Sequence, residues 1–311
     1  MTQASVDTAV AAVDIGGTKT AAALVAASGE VLARASAPTP GRDGPDAVLT
    51  TAADLVQRLR AGSAATAVAG LGVGSAGVVD AATGRVLSAT DVLSGWAGTD
   101  LRGELGSRLG MPVVVVNDVH AHALGESARG SGAGHETVLF VAVGTGIGAS
   151  FVVGGRVLAG AHSVAGHAGH QPSPYAAKLP CTCGGSGHLE AIASGPALVA
   201  EYHRRGGTLV SDLRDVSALA AQGDPVAAEV VVLGGAAVGS ALGGLVNVLD
   251  PHAVVVGGGV TALGETWWSA LREAFCADAL PVLADVPVLE SALGADAPLV
   301  GAARLVWELV A

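Results

Sequence analysis

The chain has 311 residues, of which half are apolar but only 3% aromatic, and its formal net charge at pH 7 is -11. That length is enough for two domains of ordinary size, whose cores would be built from small aliphatic side chains. The negative charge argues against a nucleic acid or an anionic membrane as the partner, because attraction to phosphate requires a basic face.

The cysteines and the N-terminal residues predict a cytoplasmic protein. Two of the three cysteines stand one residue apart, and the odd number leaves one thiol over, so a reducing compartment fits better than a disulfide framework. Residues 1–8 are polar and lack the basic segment and apolar core of a signal peptide. Residues 230–249 carry no charge, and we interpret them as a buried helix rather than a membrane span.

The first predicted element is a β-hairpin. Residues 9–13 and 21–25 are apolar, and between them runs D-I-G-G-T-K-T, starting at Asp14. Backbone N–H groups of a glycine turn and the Thr18 hydroxyl can hold phosphate, and Asp14 is placed to hold Mg²⁺ through water. The alternative is an ordinary hairpin with a Gly-Gly turn.

Residues 38–45 are predicted as a loop, residues 47–60 as a helix and residues 68–73 as a strand. The strand opens into G-S-A-G-V-V-D, starting at Gly74. Small residues such as Ser75 and Gly77 would let a substrate ring lie close to the backbone, although a simple glycine-rich turn explains them equally well.

A helix over residues 101–109 precedes a buried parallel strand, indicated by the unbroken valine run at 113–116. Asn117 and Asp118 follow at its carboxyl end, before a helix over 119–129. Ligands of α/β sheets gather at the carboxyl ends of strands, so a catalytic Asp118 is favoured over a mere helix N-cap.

The second half repeats the strand-glycine pattern. Residues 137–143 lead into G-T-G-I-G at Gly144 and an apolar run at 149–153, and residues 253–256 lead into three glycines. Helices are predicted over residues 230–249, 266–275 and 301–310. Two similar hairpins, each followed by alternating helix and strand, predict two related lobes that face each other across a cleft.

The span from 158 to 190 gathers the possible soft-metal ligands. Its spacing would let one tetrahedral zinc ion bind His170, Cys181, Cys183 and His188. The surrounding loop is glycine-rich and short of core-forming residues, so a metal would hold its shape. We expect the ion to fix His167, His170 and Glu190 around a small polar substrate, in a pocket beside Asp118.

Taken together, these motifs resemble the ROK family of sugar kinases, within the actin-like ATPase superfamily. The resemblance rests on D-I-G-G-T-K-T at Asp14, N-D at Asn117, G-T-G-I-G at Gly144, G-H-A-G-H at Gly166, C-T-C-G-G-S-G-H-L-E at Cys181 and G-G-G at Gly257. It implies an α/β fold with two ribonuclease-H-like lobes and a cleft, and γ-phosphoryl transfer from Mg-ATP to a sugar hydroxyl. The expected domains are a small lobe over 1–118, with the C-terminal helix 291–311 packed on it, and a large lobe over 119–290 with the zinc loop.

The resemblance also implies roles for the residues of these motifs. Asp118 would be the catalytic base, and Asp14 would position Mg²⁺. The expected sugar-binding residues are Ser75, Gly77, Asn117, Asp118, His167, His170 and Glu190. The expected nucleotide-binding residues are Asp14, Gly16, Gly17, Thr18, Lys19, Thr145, Gly146, Gly148, Gly257 and Gly258. Lys19 could equally be a solvated residue of the hairpin.

Two departures from the family pattern bear on substrate and metal. Most members have Glu where this chain has His167, and the His-x-Gly-His pattern is associated with bacterial N-acetylmannosamine kinases. The third cysteine that is usual in the zinc loop is His188 here. A structural zinc would then have two His and two Cys ligands, and the alternative is that His188 is a solvated loop residue. The expected reaction is therefore phosphorylation of an N-acetylhexosamine, N-acetylmannosamine in particular, at its 6-hydroxyl.

Other functions stay open on the sequence alone. One is a glucokinase or an N-acetylglucosamine kinase of the same family. Another is a sugar-responsive regulator, which the early position of Asp14 and the acidic charge disfavour, and a third is a sugar-binding module without activity. The resemblance further implies a homodimer.

Overall fold

The computed structural model describes residues 8–63 and 67–310. The polar residues 1–7, which carry most of the prediction that a signal peptide is absent, lie outside that range. The elements up to residue 129 are β1 (Thr8–Ile15), β2 (Lys19–Val25), β3 (Val31–Pro38), α1 (Pro45–Gly62), β4 (Ala67–Ser75), β5 (Val78–Asp80), β6 (Arg85–Ser88), α2 (Leu101–Leu109), β7 (Val113–Asn117) and α3 (Asp118–Arg129). The later elements are β8 (Thr137–Val143), β9 (Ile147–Val153), β10 (Arg156–Val157), α4 (Glu190–Ala193), α5 (Gly195–Arg204), α6 (Leu213–Ala221), α7 (Pro225–Leu249), β11 (Ala253–Gly257), α8 (Glu265–Asp278), β12 (Val288–Glu290) and α9 (Ala297–Val310).

Two five-stranded sheets share one strand order. The first sheet runs β3-β2-β1-β4-β7 and the second runs β10-β9-β8-β11-β12. Counted within each sheet, both orders are third, second, first, fourth, fifth. In the first sheet β1 pairs antiparallel with β2 and parallel with β4, and β4 pairs parallel with β7. The repeated order gives each predicted hairpin the same place in its sheet.

Burial follows the position of each strand in its sheet. Most of β1 is fully buried, as expected of a central strand that is covered on both faces. β3 alternates between half-buried and exposed residues, as expected of an edge strand with one face in water. β3 was not predicted from the sequence, because its alternating short side chains lack the apolar run that identifies β1.

The chain divides into two compact units that do not follow chain order. Unit one comprises residues 1–134, 152–165 and 292–311, and unit two comprises residues 135–151 and 166–291. The boundary expected from the sequence lies after residue 118, whereas α3 belongs to unit one, because it packs closely against α9. α9 also contacts β1 and β4, so the last described helix is part of the core of unit one.

α7 is the long uncharged helix of unit two. Asp224 caps its N-terminus by accepting a hydrogen bond from the Ala227 amide, and Pro225 occupies its first turn. By length and composition it is the one described helix that could cross a membrane, yet 56% of its most apolar window is buried in the protein. Its glycines bring it against the backbone of α8, which is the packing of a core helix.

Candidate functional site

Two acids, Asp14 and Asp118, mark the carboxyl ends of parallel strands in unit one. Asp14 lies in β1 opposite Gly74 of β4, and Asp118 follows β7 as the first residue of α3. A Cβ atom built on Gly74 would lie 3.5 Å from Asp14 Oδ1 and 3.6 Å from the Cα atom of Asp118. Gly74 therefore lies close to both acids, at the sheet edge where α/β proteins bind ligands.

Asp14 has an unusual affinity for its proton. Burial, and after it the charge of Asp118, raise the pKa of its carboxyl from the usual 3.8 to about 7, and Lys19 opposes the shift. A bound cation would favour the charged carboxylate and reverse the effect of burial. The buried oxygens next to a second acid thus fit a divalent cation such as Mg²⁺.

Asn117 orients Asp118. Its side-chain oxygen accepts hydrogen bonds from the amides of Val119 and His120 and so caps α3. Its Nδ2 donates to the Gly77 carbonyl at 2.9 Å and to Asp118 Oδ1 at 2.8 Å. The helix N-cap is therefore Asn117, and the alternative interpretation of Asp118 as the cap is wrong.

The side chain of Ser75 is committed to the core. It is fully buried, accepts a hydrogen bond from Trp96 Nε1 at 3.1 Å and donates to the carbonyl of Ala76. The Ser75 hydroxyl is thus hydrogen-bonded within the protein, and the expectation that Ser75 lets a sugar ring lie close to the backbone stays a prediction.

Thr39, which lies outside the first hairpin, stabilises the turn of that hairpin by hydrogen bonds. Gly16 donates its amide to the Lys19 carbonyl at 3.0 Å, which closes the turn. Thr39 donates its hydroxyl to the Gly16 carbonyl and its amide to the Thr18 carbonyl. Gly17 has no room for a Cβ atom, whereas the side chains of Thr18 and Lys19 are exposed. The turn thus presents polar groups to solvent on a fixed backbone.

The corresponding turn of unit two is held by Glu190. The Gly144 amide donates to the Gly146 carbonyl at 2.9 Å, and the Ile147 amide donates to Glu190 Oε2 at 2.9 Å. A Cβ atom at Gly146 would lie 2.7 Å from that same oxygen, so only glycine lets the carboxylate lie against the turn.

The other nucleotide-binding candidates also lie in unit two. Thr145 is exposed in the turn after β8, and Gly148 lies in β9. Gly257 ends β11, and Gly258 has a φ of 97°, which glycine alone adopts readily. β11 pairs parallel with β8, so both glycine segments follow the carboxyl ends of neighbouring strands.

The G-H-A-G-H turn lies directly on β9. The Ala149 amide donates to the Gly166 carbonyl at 2.6 Å, and a Cβ atom on Gly169 would overlap the strand backbone. The rings of His167 and His170 are stacked at 6.2 Å with 25° between their planes. Two glycines therefore bring two imidazoles to one side of the strand.

The four predicted metal ligands come together. The ligand atoms of His170, Cys181, Cys183 and His188 all lie within 4.8 Å of one another. Nδ1 of His170 is 3.5 Å from the Cys181 sulfur, and Nδ1 of His188 is 3.2 Å from the Cys183 sulfur. Ligands of a tetrahedral zinc ion are separated by about 3.3–3.8 Å, given its usual bond lengths. The donors and their spacing therefore fit zinc.

Metal binding would also change the protonation of a cysteine in this cluster. Burial raises the pKa of the Cys181 thiol, so that thiol holds its proton in the absence of a cation. A metal binds the thiolate and displaces the proton.

Three contacts at these sites were not predicted from the sequence. Thr39, Trp96 and Thr182 bond to Gly16, Ser75 and Glu190 respectively. The first two lie more than twenty residues from their partners, and no local pattern identifies them. Thr182 had a usable signal, because it stands between two predicted metal ligands.

Comparison with known proteins gives concordant matches along the chain. A model of the ROK family matches residues 10–308. The glucokinase of Halalkalibacterium halodurans is 32% identical, over 94% of this chain and 93% of its own. The N-acetylmannosamine kinase of Escherichia coli is 33% identical, over 94% of this chain and 97% of its own. The crystal structure of a ROK family glucokinase from Streptomyces griseus, in complex with glucose and AMPPNP, superposes with a TM-score of 0.81 at 33% identity and covers 96% of this chain and 99% of its own.

Proposed function

This chain belongs to the ROK family, and from that premise we propose that it transfers the γ-phosphoryl group of ATP to the 6-hydroxyl of N-acetylmannosamine. Its class of activity, an ATP-dependent sugar kinase, is that of its relatives along nearly the whole chain. The predicted fold class, the mixed α/β fold of the actin-like ATPases, is confirmed by the same similarity.

The observation that carries the proposal is the placement of Asp118. Its carboxylate is held by Asn117 at the start of α3, near Asp14 and Gly74. Phosphoryl transfer requires mainly positioning and neutralisation of charge, with one group to accept the proton of the attacking hydroxyl. In this proposal Asp118 accepts that proton, so the deprotonated oxygen forms the new P–O bond as the bond to ADP breaks.

Asp14 and the two glycine turns would bind the nucleotide. Magnesium, when bound, neutralises the phosphate charges. Asp14 would hold it through water, and backbone amides near each turn would bind phosphate oxygens. The residues proposed for this binding are Gly16, Gly17, Thr18, Lys19, Thr145, Gly146, Gly148, Gly257 and Gly258.

The residues proposed to bind sugar hydroxyls are Asn117, Asp118, His167, His170 and Glu190. His170 has two ring nitrogens, of which Nδ1 faces the cysteine cluster. Its other nitrogen is then available to the sugar. Zinc on the four ligands would fix this ring and supply structure rather than reactivity.

His167 is the residue on which the choice of N-acetylmannosamine depends. An imidazole can donate as well as accept a hydrogen bond, which suits an acetamido carbonyl or an axial 2-substituent. The glucokinase alternative is supported by the similarity to two glucokinases, at 32% and 33% identity. We further propose a cytoplasmic homodimer that binds neither nucleic acid nor a membrane, in keeping with a net charge of -11.

A coupled assay of ADP release tests the substrate. The sugars are N-acetylmannosamine, N-acetylglucosamine and glucose, compared by kcat/KM with ATP and Mg²⁺ in excess. We expect the highest value for N-acetylmannosamine, and we expect His167→Glu to lower it by about 10-fold or more, the cost of mispairing a polar contact. A clear preference of the unaltered chain for glucose rejects N-acetylmannosamine in favour of the glucokinase alternative.

A further inference from the structure

Glu190 connects two loops of unit two through its two carboxylate oxygens. Oε2 accepts the hydrogen bond from the Ile147 amide, directly after the glycine turn. Oε1 accepts a hydrogen bond from the Thr182 hydroxyl at 2.8 Å. Each oxygen retains acceptor capacity for another donor, because a carboxylate has about four lone-pair sites.

Thr182 owes its position to the loop of the metal ligands. It stands between Cys181 and Cys183 in a tight turn, in which the Cys181 amide donates to the Gly185 carbonyl and the Gly184 amide donates to the Cys181 carbonyl. The Thr182 residue is exposed, so its hydroxyl is not needed to fill the core. From this turn the hydroxyl reaches Glu190 Oε1.

We propose that Thr182 is a positioning residue, whose hydroxyl holds the Glu190 carboxylate in the orientation that binds sugar and supports the Gly144–Ile147 turn. This inference rests on the proposed function for the part that concerns sugar. In this inference Thr182 acts through Glu190. Its side chain also hydrogen-bonds to the Cys181 thiol, so bound zinc must be compared between variants.

The physical reason lies in the last torsion of the glutamate side chain. Rotation about the bond to a carboxylate is broad and weakly restricted, so hydrogen bonds must select the orientation. Without the Thr182 hydroxyl, Oε1 of Glu190 loses a charge-assisted hydrogen bond. Of the two donors described above, the Ile147 amide, which bonds to Oε2, remains. Both sugar binding and the order of the turn should then weaken.

A matched pair of variants isolates the hydroxyl. Thr182→Val keeps the shape of the side chain and removes the donor, whereas Thr182→Ser keeps the donor. We expect Thr182→Val to raise the KM for sugar about 3- to 10-fold with kcat within about twofold, the scale of one charge-assisted hydrogen bond at an exposed position. We expect Thr182→Ser to stay within about twofold of the unaltered chain in both constants.

Hydrogen exchange of the peptide that contains Ile147 gives a readout independent of catalysis. We expect exchange at this peptide to be about threefold faster or more in Thr182→Val and unchanged in Thr182→Ser, because a less ordered acceptor protects its donor less. Bound zinc, measured by chelator release, should be equal in the three proteins.

Three outcomes would overturn the inference. The first is an unchanged KM for sugar and an unchanged exchange rate in Thr182→Val. The second is an equal change of KM and exchange rate in both variants. The third is a loss of zinc from Thr182→Val, which would assign the effect to the metal loop. If the unaltered chain phosphorylates none of the sugars, the proposed function fails on its own. The exchange rates then decide whether Thr182 positions Glu190.

Discussion

The carboxylates of unit one, Asp14 and Asp118, have different environments and are proposed to have different roles. Asp14 lies in the buried sheet and holds its proton up to about pH 7. Asp118 lies at the N-terminus of α3, where the helix dipole and donors from Asn117 and Val119 stabilise negative charge. The proposed proton acceptor and the proposed cation ligand thus lie at the carboxyl ends of β7 and β1, the two neighbours of β4 in the sheet.

Replacing Asp118 tests its role as the base. Asp118→Asn keeps the size of the side chain but cannot accept the proton of the sugar hydroxyl at the same rate. We expect kcat to fall about 100-fold or more, with a smaller change in the KM for ATP. Steady-state kinetics measure this, and circular dichroism checks the fold. A variant with more than a tenth of the original kcat would show that another group takes the proton.

Replacing Asp14 tests whether the pKa of its carboxyl is raised in the folded chain. In the unfolded chain Asp14 loses its proton near pH 3.8, whereas in the folded chain it keeps it up to about pH 7. Between these values the folded state binds more protons, so the stability of the metal-free chain falls as pH rises through this window. Asp14→Asn removes that penalty. Relative to the unaltered chain, the stability of the variant should rise by about 2 kcal/mol between pH 5 and pH 8.

Urea unfolding in EDTA at both pH values measures the difference. The exposed Asp43 supplies a control, because Asp43→Asn should show no such trend. If the stability difference between Asp14→Asn and the unaltered chain is the same at pH 5 and pH 8, Asp14 does not titrate in this range.

At the scale of elements, close contacts between backbones position the candidate residues. α9 packs against α3 at Gly301, where a Cβ atom would overlap the Ala121 carbonyl. Glu126 of α3 is fully buried and accepts hydrogen bonds from the amides of Ser131, Ala292 and Leu293. These contacts tie the helix that begins with Asp118 to the segment that leads into α9.

The loop that carries the cysteines contains the proposed zinc site. We expect the purified chain to contain about one zinc ion, as a closed four-ligand site would. Cys183→Ser should lose most of this metal and lower the Tm by several degrees, since metal binding stabilises only the folded loop. Cys276→Ser is the matched control, because Cys276 is also exposed but lies outside the cluster. Equal zinc contents in the two variants would refute the site.

At the scale of the whole chain, local patterns identified most strands and helices but few of the contacts between them. The unbroken apolar runs of β1, β7, β8 and β11 were recognisable, as were the long helices. The short strands β5, β6, β10 and β12 and the helices α4 to α6 were not predicted, since they are brief or only half-buried. α3 was assigned to the wrong side of the unit boundary, because packing against α9 is not encoded near residue 118.

The same limit applies to the candidate site. Spacing was enough to predict the gathering of His170, Cys181, Cys183 and His188, because all four lie within a short span. Spacing could not reveal that Trp96 donates a hydrogen bond to the hydroxyl of Ser75, since that contact depends on the tertiary fold. The roles assigned to the remaining candidate residues stay predictions.

The discontinuous composition of unit one has a consequence for biosynthesis. α9 leaves the ribosome only after all of unit two has been made, yet it covers β1 and β4. Until α9 is synthesised, one apolar face of the sheet that carries Asp14 is therefore exposed. Exposed apolar surface of this kind binds chaperones and promotes aggregation. Stop codons that remove α9 would leave that face bare for good, and such products should accumulate in inclusion bodies.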